Sequence, residues 1–376
     1  MLTALTAFDS IDPRDLPPAA LESACKKHGV SPREMRRLLA STLERGEMVP
    51  VDWTSRGIIS AAKAALFDCS RCLKLAESAV SQIDGFQKLL FYTPDNLPVE
   101  TVIIPLHKEN CVSICLSSQV GCVMGCVFCA TAKMAQRRNL RTWEIVEQFI
   151  KARQIARSQN KRVTGAVFMG MGEPFLNYDR VIAAAKLLCY PVSGAISAKA
   201  ITISTVGLVP EIERFTIEKH PFRLSISLGG ATDEKRAALV PVAARTPVNE
   251  VIKAARRYSE SRRDRINLSY VCISGFNVSE QDAVELAALI GDLPVRLDLI
   301  DATDSRGQYQ PPSESEMKFF RDALSKHLRQ PVARRYSGGK DINAACGTLA
   351  GKAVASKAAQ GEMKTSNNSL SSLIDA

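Results

Sequence analysis

Beyond Cys111 the chain alternates short apolar, β-branched runs with amphipathic helical stretches, and this alternation restricts the fold more than any other feature. The runs Val112 to Leu116, Val163 to Gly170, Ala200 to Ser204, Phe222 to Leu228, Ile266 to Ile273, Val295 to Ile300 and Val332 to Tyr336 read as strands. Helical spacing joins Ile145, Val146, Phe149, Ile150 and Ile155, and again Val284 to Ile290. Repeated βα units predict a parallel sheet, closed or partly closed. Functional residues then belong at the C-terminal ends of the strands and in the loops that follow.

The loop after the first of these strands carries Gly121-Cys122-Val123-Met124-Gly125-Cys126-Val127-Phe128-Cys129. Three thiolates spaced C-x3-C-x2-C can hold a cubane iron–sulfur cluster and leave its fourth iron without a protein ligand. A closed carrier cluster or a structural zinc takes four. An open iron implies a substrate or cofactor bound there. Two other readings stand beside this one: incidental buried cysteines, since free Cys is often a small core residue, and zinc closed by a distant fourth ligand.

The next loops have the same character. Gly170-Met171-Gly172-Glu173-Pro174 follows the second strand, Ser204-Thr205-Val206-Gly207 the third and Ser227-Leu228-Gly229-Gly230 the fourth. Backbone rich in glycine can approach a ligand closely, so these loops are expected to converge on one mouth. After the last strand comes Gly338 to Gly347 with Cys346, which from position alone reads equally as a mobile nucleophile and as a small packed residue. Cys115 precedes the first cluster cysteine by seven positions.

The 376 residues, 46% of them hydrophobic, suffice for one α/β barrel with an appendage. No apolar run is long enough to span a bilayer, and Met1 to Ala4 lacks the basic-then-apolar pattern of a signal peptide. Eleven cysteines, several of them close together in mid-chain, suit a reducing compartment better than a disulfide framework. A cytoplasmic protein is expected. The net charge of +10 suits a polyanionic partner, although basicity alone does not establish one.

Residues 1–80 read as a helical accessory domain. Pro17-Pro18-Ala19 opens one helix, and Ser31-Pro32-Arg33-Glu34 supplies an N-cap with Pro at the first helical position of the next. Lys26, Lys27, His28, Arg33, Arg36 and Arg37 would suit an RNA backbone or simply a solvated face. Cys69-x2-Cys72 falls in a helix-like context over Ala61 to Ser81 and lacks a second pair at metal-ribbon spacing, so it is assigned no chemistry. Residues 81–110 form a β-hairpin extension from Phe86 to Phe91 and Val99 to Pro105, with Glu100 on the second strand, a position that ordinarily faces solvent. Residues 111–351 form the core, and 352–376 a polar tail that includes Lys364 to Ser369.

Four segments together resemble one family: Cys115-Leu116-Ser117-Ser118-Gln119-Val120-Gly121-Cys122, Cys126-Val127-Phe128-Cys129-Ala130-Thr131-Ala132, Met169-Gly170-Met171-Gly172-Glu173-Pro174 and Asp341-Ile342-Asn343-Ala344-Ala345-Cys346-Gly347. From about Glu100 to Gly351 the chain resembles, in order, the RlmN/Cfr family of radical S-adenosylmethionine (SAM) RNA adenine methyltransferases. The resemblance implies a partial (βα)6-type radical SAM barrel with a small N-terminal helical domain and a β-hairpin extension. It also implies a [4Fe-4S] cluster on Cys122, Cys126 and Cys129, with SAM on the open iron. Gly172, Glu173, Ser204, Ser227, Leu228 and Gly229 would hold the rest of SAM.

By the same resemblance, one SAM methylates Cys346, and a second yields a 5'-deoxyadenosyl radical that takes hydrogen from that methyl group. The target adenine carbon is electron-poor, so a methyl cation finds no nucleophile there, whereas a carbon radical can add. Cys115 is implied to release the product through a disulfide with Cys346, and Glu100 matches the proposed proton acceptor. Carbon 2 of adenine, in 23S ribosomal RNA and also transfer RNA, is the implied target. An external low-potential donor such as flavodoxin or ferredoxin, a monomeric state and no membrane partner complete the expectation.

Two stretches depart from the family pattern. Ser227-Leu228-Gly229-Gly230 stands where Ser-Leu-His-Ala is usual, and Asp298-Leu299-Ile300-Asp301-Ala302-Thr303-Asp304 replaces Asn-Leu-Ile-Pro-Trp-Asn-Pro, so that Thr303 takes the place of a SAM-binding Asn. These departures leave room for a diverged paralogue with another adenine carbon or another RNA as target. A catalytically inactive RNA-binding iron–sulfur protein is the reading from a different class. The joint presence of Cys115, Cys346 and Glu100 favours retained methyl transfer.

Overall fold

The structure is a computed structural model and describes residues 10–191, 196–304 and 307–351. The polar tail expected over 352–376 lies outside the described residues. Four short helices come first: α1 (Pro18–Lys27), α2 (Pro32–Leu39), α3 (Pro50–Ser55) and α4 (Ala61–Ala64). Ser31 and Glu34 close a capping box on α2, with Pro32 at its first turn, as the sequence signals. Met35, Leu38 and Leu39 turn inward while Arg33, Arg36 and Arg37 stay exposed.

Strands β1 (Lys74–Val80), β2 (Gln87–Tyr92), β3 (Pro98–Pro105) and β4 (Cys111–Cys115) follow, each antiparallel to the next. The helical reading across Ala61 to Ser81 is therefore corrected. Lys74-Leu75-Ala76-Glu77-Ser78-Ala79-Val80 has helix-forming residues, yet pairing with β2 makes it an edge strand that is largely exposed. The expected hairpin is thus the inner part of a meander. Cys69 and Cys72 lie before β1 in irregular chain, Cys69 buried and Cys72 exposed, so they share no environment.

Two-residue strands β5 (Gln119–Val120) and β6 (Arg138–Asn139) pair with each other across the cysteine loop. The chain then runs α5 (Thr142–Ser158), β7 (Arg162–Phe168), α6 (Tyr178–Leu188), β8 (Ile201–Thr205), α7 (Val209–Ile217) and β9 (Arg223–Ser227). It continues through α8 (Asp233–Leu239), α9 (Val248–Arg262), β10 (Ile266–Cys272), α10 (Glu280–Ile290), β11 (Val295–Asp301), α11 (Glu314–His327) and β12 (Val332–Arg335). All seven strands expected beyond Cys111 are present. They lie side by side in chain order, β4-β7-β8-β9-β10-β11-β12, every neighbouring pair parallel. Such an order winds the sheet one way with helices on its outer face and leaves it open, which makes it a partial barrel.

The N-terminal segment docks on α5 through buried charge. Arg14 is wholly buried and pairs with Asp12 at 2.8 Å and Glu147 at 3.1 Å. Arg14 and Arg71 both lie over the Trp143 ring, 5.3 and 5.2 Å from its centroid. Burial without a partner would expel such a guanidinium, so these contacts fix how the module sits.

Candidate active site

The C-terminal ends of the parallel strands open on a cleft. Cys122, Cys126, Cys129 and Cys346 line it, and so do Gly172, Glu173, Ser204, Ser227, Gly229 and Thr303. Convergence of the strand-end loops, expected from the βα pattern, is therefore present. Leu228 is absent from this wall: its side chain is fully buried and its carbonyl accepts from the Arg236 guanidinium.

Cys122 and Cys126 are nearly buried and Cys129 is partly open. Met124, Leu239, Val240, Ile273 and Ala302 form an apolar shell around the first two. Burial pushes the Cys122 thiol up to about 11 and raises Cys126 further, with the neighbouring thiolates adding to the effect on Cys126. Proton loss here needs a metal to offset the charge. Among the described residues no three Cys, His, Asp or Glu side chains converge where one ion would touch them all. Three thiolates can bind three irons of a cubane cluster, one each. Three thiols on one apolar wall, with no His beside them, suit the cluster.

Glu173 faces the cleft from the loop after β7 and is 3% exposed. Its Oε1 accepts from Phe175 N at 3.0 Å and its Oε2 from Val206 N at 2.9 Å. Burial still carries its carboxyl up to about 7, against those hydrogen bonds. A ligand N–H donated to it would favour the ionised form.

Arg236 explains the Gly-Gly departure. It is almost fully buried and donates to the carbonyls of Ser227, Leu228 and Val206, tying the ends of β8 and β9 together. A Cβ on Gly230 would lie 2.7 Å from Arg236 N. Glycine there lets the start of α8 close down on the strand ends, and α8 in turn accepts Val127 N at the Leu239 carbonyl, 3.0 Å away.

The Cys346 loop crosses the mouth and is fastened from several sides. Cys346 N donates to Ser337 Oγ at 3.0 Å, and Thr303 Oγ1 donates to the Cys346 carbonyl. Ala130 N donates to the Gly347 carbonyl at 2.7 Å and Thr131 Oγ1 to the Leu349 carbonyl at 2.6 Å, which links the loop to the cluster segment. Thr303 thus lines the cleft while its hydroxyl hydrogen is committed to the loop.

Cys115, at the end of β4, is buried in a small apolar cluster with Val102, Met171, Ile342, Ala344 and Leu349. Burial first, and then the negative charge of Cys346, push its thiol up to about 12, while Arg335 works the other way. The two sulfurs are electrostatic neighbours, and both are free thiols. Glu100 does not face solvent, contrary to the ordinary expectation for a strand carboxylate, and it does not line the cleft. Its Oε2 accepts from Ala350 N at 2.8 Å and Gly351 N at 3.1 Å, just beyond Cys346.

Arg335, Ser269 and Asp301 also line the cleft and were not singled out in the sequence. Each lies in or at the end of a parallel strand, so the strand-end rule could have found Arg335 and Asp301. Nothing local marks Ser269, whose Oγ lies 3.2 Å from Ser225 Oγ.

A partial parallel barrel with three cysteines in its first loop and a lined cleft at the strand ends defines a radical SAM enzyme. Residues 116–289 match the model of the Radical SAM superfamily. The chain is 49% identical over 267 residues to a "Probable RNA methyltransferase" of Myxococcus xanthus, covering 71% of this chain and 73% of that one. It is 39% identical over 268 residues to "Dual-specificity RNA methyltransferase RlmN 1" of the same organism, covering 71% and 74%. The crystal structure of a radical SAM methyltransferase from Sphaerobacter thermophilus superposes with a TM-score of 0.82 at 33% identity, over 91% of this chain and all of that one. The chain belongs to the RlmN/Cfr family of radical SAM RNA methyltransferases.

Proposed function

We propose that this enzyme methylates a ring carbon of adenine in RNA through a methyl group carried on Cys346. The observation that carries the reading is the placing of Cys346 on the wall it shares with the three cluster cysteines, with Cys115 as its electrostatic neighbour. Cys122, Cys126 and Cys129 would hold a [4Fe-4S] cluster, and Glu173, Ser204, Ser227 and the Gly172 and Gly229 backbone would hold SAM. When bound, these groups supply a methyl group and, after reduction by an external low-potential donor such as flavodoxin or ferredoxin, a hydrogen-abstracting radical.

The chain's own residues do the rest. Cys346 takes a methyl group as a thiolate and later carries the carbon that joins the base. Ser337, Thr303 and the Ala130–Gly347 hydrogen bond keep that sulfur over the cleft. Cys115 then attacks the Cys346 sulfur as a thiolate: a disulfide forms, the sulfur–carbon bond breaks with its electron pair left on carbon, and that carbon takes up a proton as the methylated base leaves. Glu100 accepts a proton only if its present partners give way, because the Ala350 and Gly351 amides occupy Oε2 and Lys88 Nζ lies 3.0 Å from Oε1.

Carbon 2 of adenine in 23S ribosomal RNA, with transfer RNA as a further substrate, is the preferred target. A second reading, another adenine carbon or another RNA, is favoured by one contrast. The chain is 49% identical to the first Myxococcus xanthus relative and 39% to the one named RlmN 1. The protein is taken to act as a monomer in the cytoplasm; among the described residues no helix is long and apolar enough to cross a membrane. Mass spectrometry of ribosomal and transfer RNA nucleosides from cells with and without the protein tests the target. Unchanged methyladenosines in both pools, together with an unmethylated Cys346 peptide after anaerobic incubation with SAM, would remove the reading.

A further inference from the structure

An exposed aromatic ring, one residue along the chain from the cleft lining, has no role in the chemistry above. Tyr336 follows β12 directly, lies between Arg335, which lines the cleft, and Ser337, which holds Cys346 N, and is 64% exposed. One exposed tyrosine is ordinary by itself; here the ring is next in sequence to a cleft-lining residue, and its apolar surface is open to a further contact.

The ring is also held still. Its hydroxyl donates to Asp84 Oδ2 at 2.8 Å, and the same oxygen accepts from Gly339 N at 2.8 Å. Phe86 meets the ring edge-on, with centroids 6.2 Å apart and planes at 72°. Gln82 N donates to Asp341 Oδ2 at 3.1 Å. The turn between β1 and β2 is thereby fastened to the loop that carries Cys346, and Phe86 packs on the same small cluster as Cys115 and Ala344. Ile83, in that turn, is 73% exposed, and Lys340 is exposed one residue beyond Gly339.

We infer that Tyr336 is a stacking platform for an unpaired RNA base next to the one that enters the cleft. The inference rests on the RNA adenine methyltransferase reading. An adenine carbon cannot reach a sulfur inside the cleft while the base is stacked in a helix, so the base must be extruded and its neighbour loses a stacking partner. A rigid ring beside the entrance replaces that partner without regard to base identity, while Arg335, Lys340 and the net charge of +10 favour the phosphates. A fixed aromatic orders the RNA at small entropic cost, because little rotamer freedom remains to be lost on binding.

The test uses cluster-loaded full-length protein and a short single-stranded oligoadenylate containing 2-aminopurine, whose fluorescence falls on stacking. Wild type is expected to bind and quench the probe, and Tyr336→Phe and Tyr336→Trp, which keep a ring without the Asp84 tether, to retain most of both. Tyr336→Ala and Tyr336→Leu are expected to bind about five- to 150-fold more weakly, the range for loss of one stacked base. Unchanged quenching by Tyr336→Ala overturns the platform. Binding by Tyr336→Phe and Tyr336→Trp as weak as that of Tyr336→Ala also overturns it, because the Asp84 tether and not the ring would then matter. In RNA methylation assays Tyr336→Ala should raise KM by a similar factor. An active enzyme with an unchanged KM sinks the platform alone, whereas a wild-type protein that methylates no RNA sinks the reading beneath it.

Discussion

Lys88 and Glu100 form an ion pair sealed between β2 and β3, with Nζ 3.0 Å from Oε1 and the side chains 4% and 0% exposed. They sit diagonally across the strand pair, since Glu100 is opposite Leu90 and Lys88 opposite Val102. The other oxygen of Glu100 holds the segment just past Cys346. Lys88→Met should therefore do two things. It strands a buried carboxylate, which costs about 3–5 kcal/mol, and it loosens the loop that carries the methyl group. Urea unfolding reads the first. The double variant Lys88→Met/Glu100→Gln should recover part of the stability, and a strictly additive result would refute the pairing.

Glu173 gives the site a pH dependence with a definite sign. Its carboxyl titrates near 7 in the fold, against 4.5 for the ordinary group. The native state then holds a proton the unfolded chain has lost, so this group's contribution to stability declines as pH rises from about 4.5 to 7. The ionised form accepts from an N–H of the ligand, so SAM affinity should rise about tenfold per pH unit below 7 and level off above it. Glu173→Gln should bind weakly and flatten the profile. Titration of SAM into unreduced, cluster-loaded protein between pH 5.5 and 8.5, values chosen about one and a half units either side of 7, would show it.

The two working thiols differ in access. Cys115 is buried and pushed up to about 12, whereas Cys346 is partly exposed at the cleft. Iodoacetamide at neutral pH should label the Cys346 peptide well before the Cys115 peptide. Cys346→Ala should abolish methylation and keep the cluster's visible absorption. Cys115→Ala should accumulate protein crosslinked to RNA, and normal turnover by that variant would contradict its part in product release.

The seven parallel strands were legible because each is short and set off by a helix-period stretch and most are apolar; β12, Val332-Ala333-Arg334-Arg335, shows its place mainly by that alternation. β1 was not, because Lys74 to Val80 is exposed at a sheet edge and only its pairing with β2 decides its form. The cleft-lining role of Gly172, Glu173, Ser204, Ser227 and Gly229 followed from the strand-end rule together with the family motifs. Side-chain direction did not follow. Leu228 turns into the core, Glu100 reaches the backbone at Ala350, and Thr303 bonds the Cys346 carbonyl. Arg14 was invisible for a related reason: a charged residue in a polar stretch reads as surface until Glu147, 133 positions away, is brought to it.

The Gly229-Gly230 departure makes a prediction that runs against intuition. Restoring the family's Ser-Leu-His-Ala by Gly229→His/Gly230→Ala should impair this protein instead of improving it. Gly229 has φ +75°, a conformation that costs a side chain about 1–2 kcal/mol. A Cβ added at Gly230 would press on Arg236 N and on Lys235 Cβ, each 2.7 Å away, and neither is the loose end of a side chain. Overpacking of this kind costs about 1–3 kcal/mol. The displaced α8 carries both Arg236, which ties β8 to β9, and the Leu239 carbonyl that holds Val127 between two cluster cysteines. Gly230→Ala alone should therefore lower the unfolding midpoint and the iron retained per chain after anaerobic reconstitution. Full iron content with a lowered midpoint would show that α8 supports the fold without setting the cysteine loop.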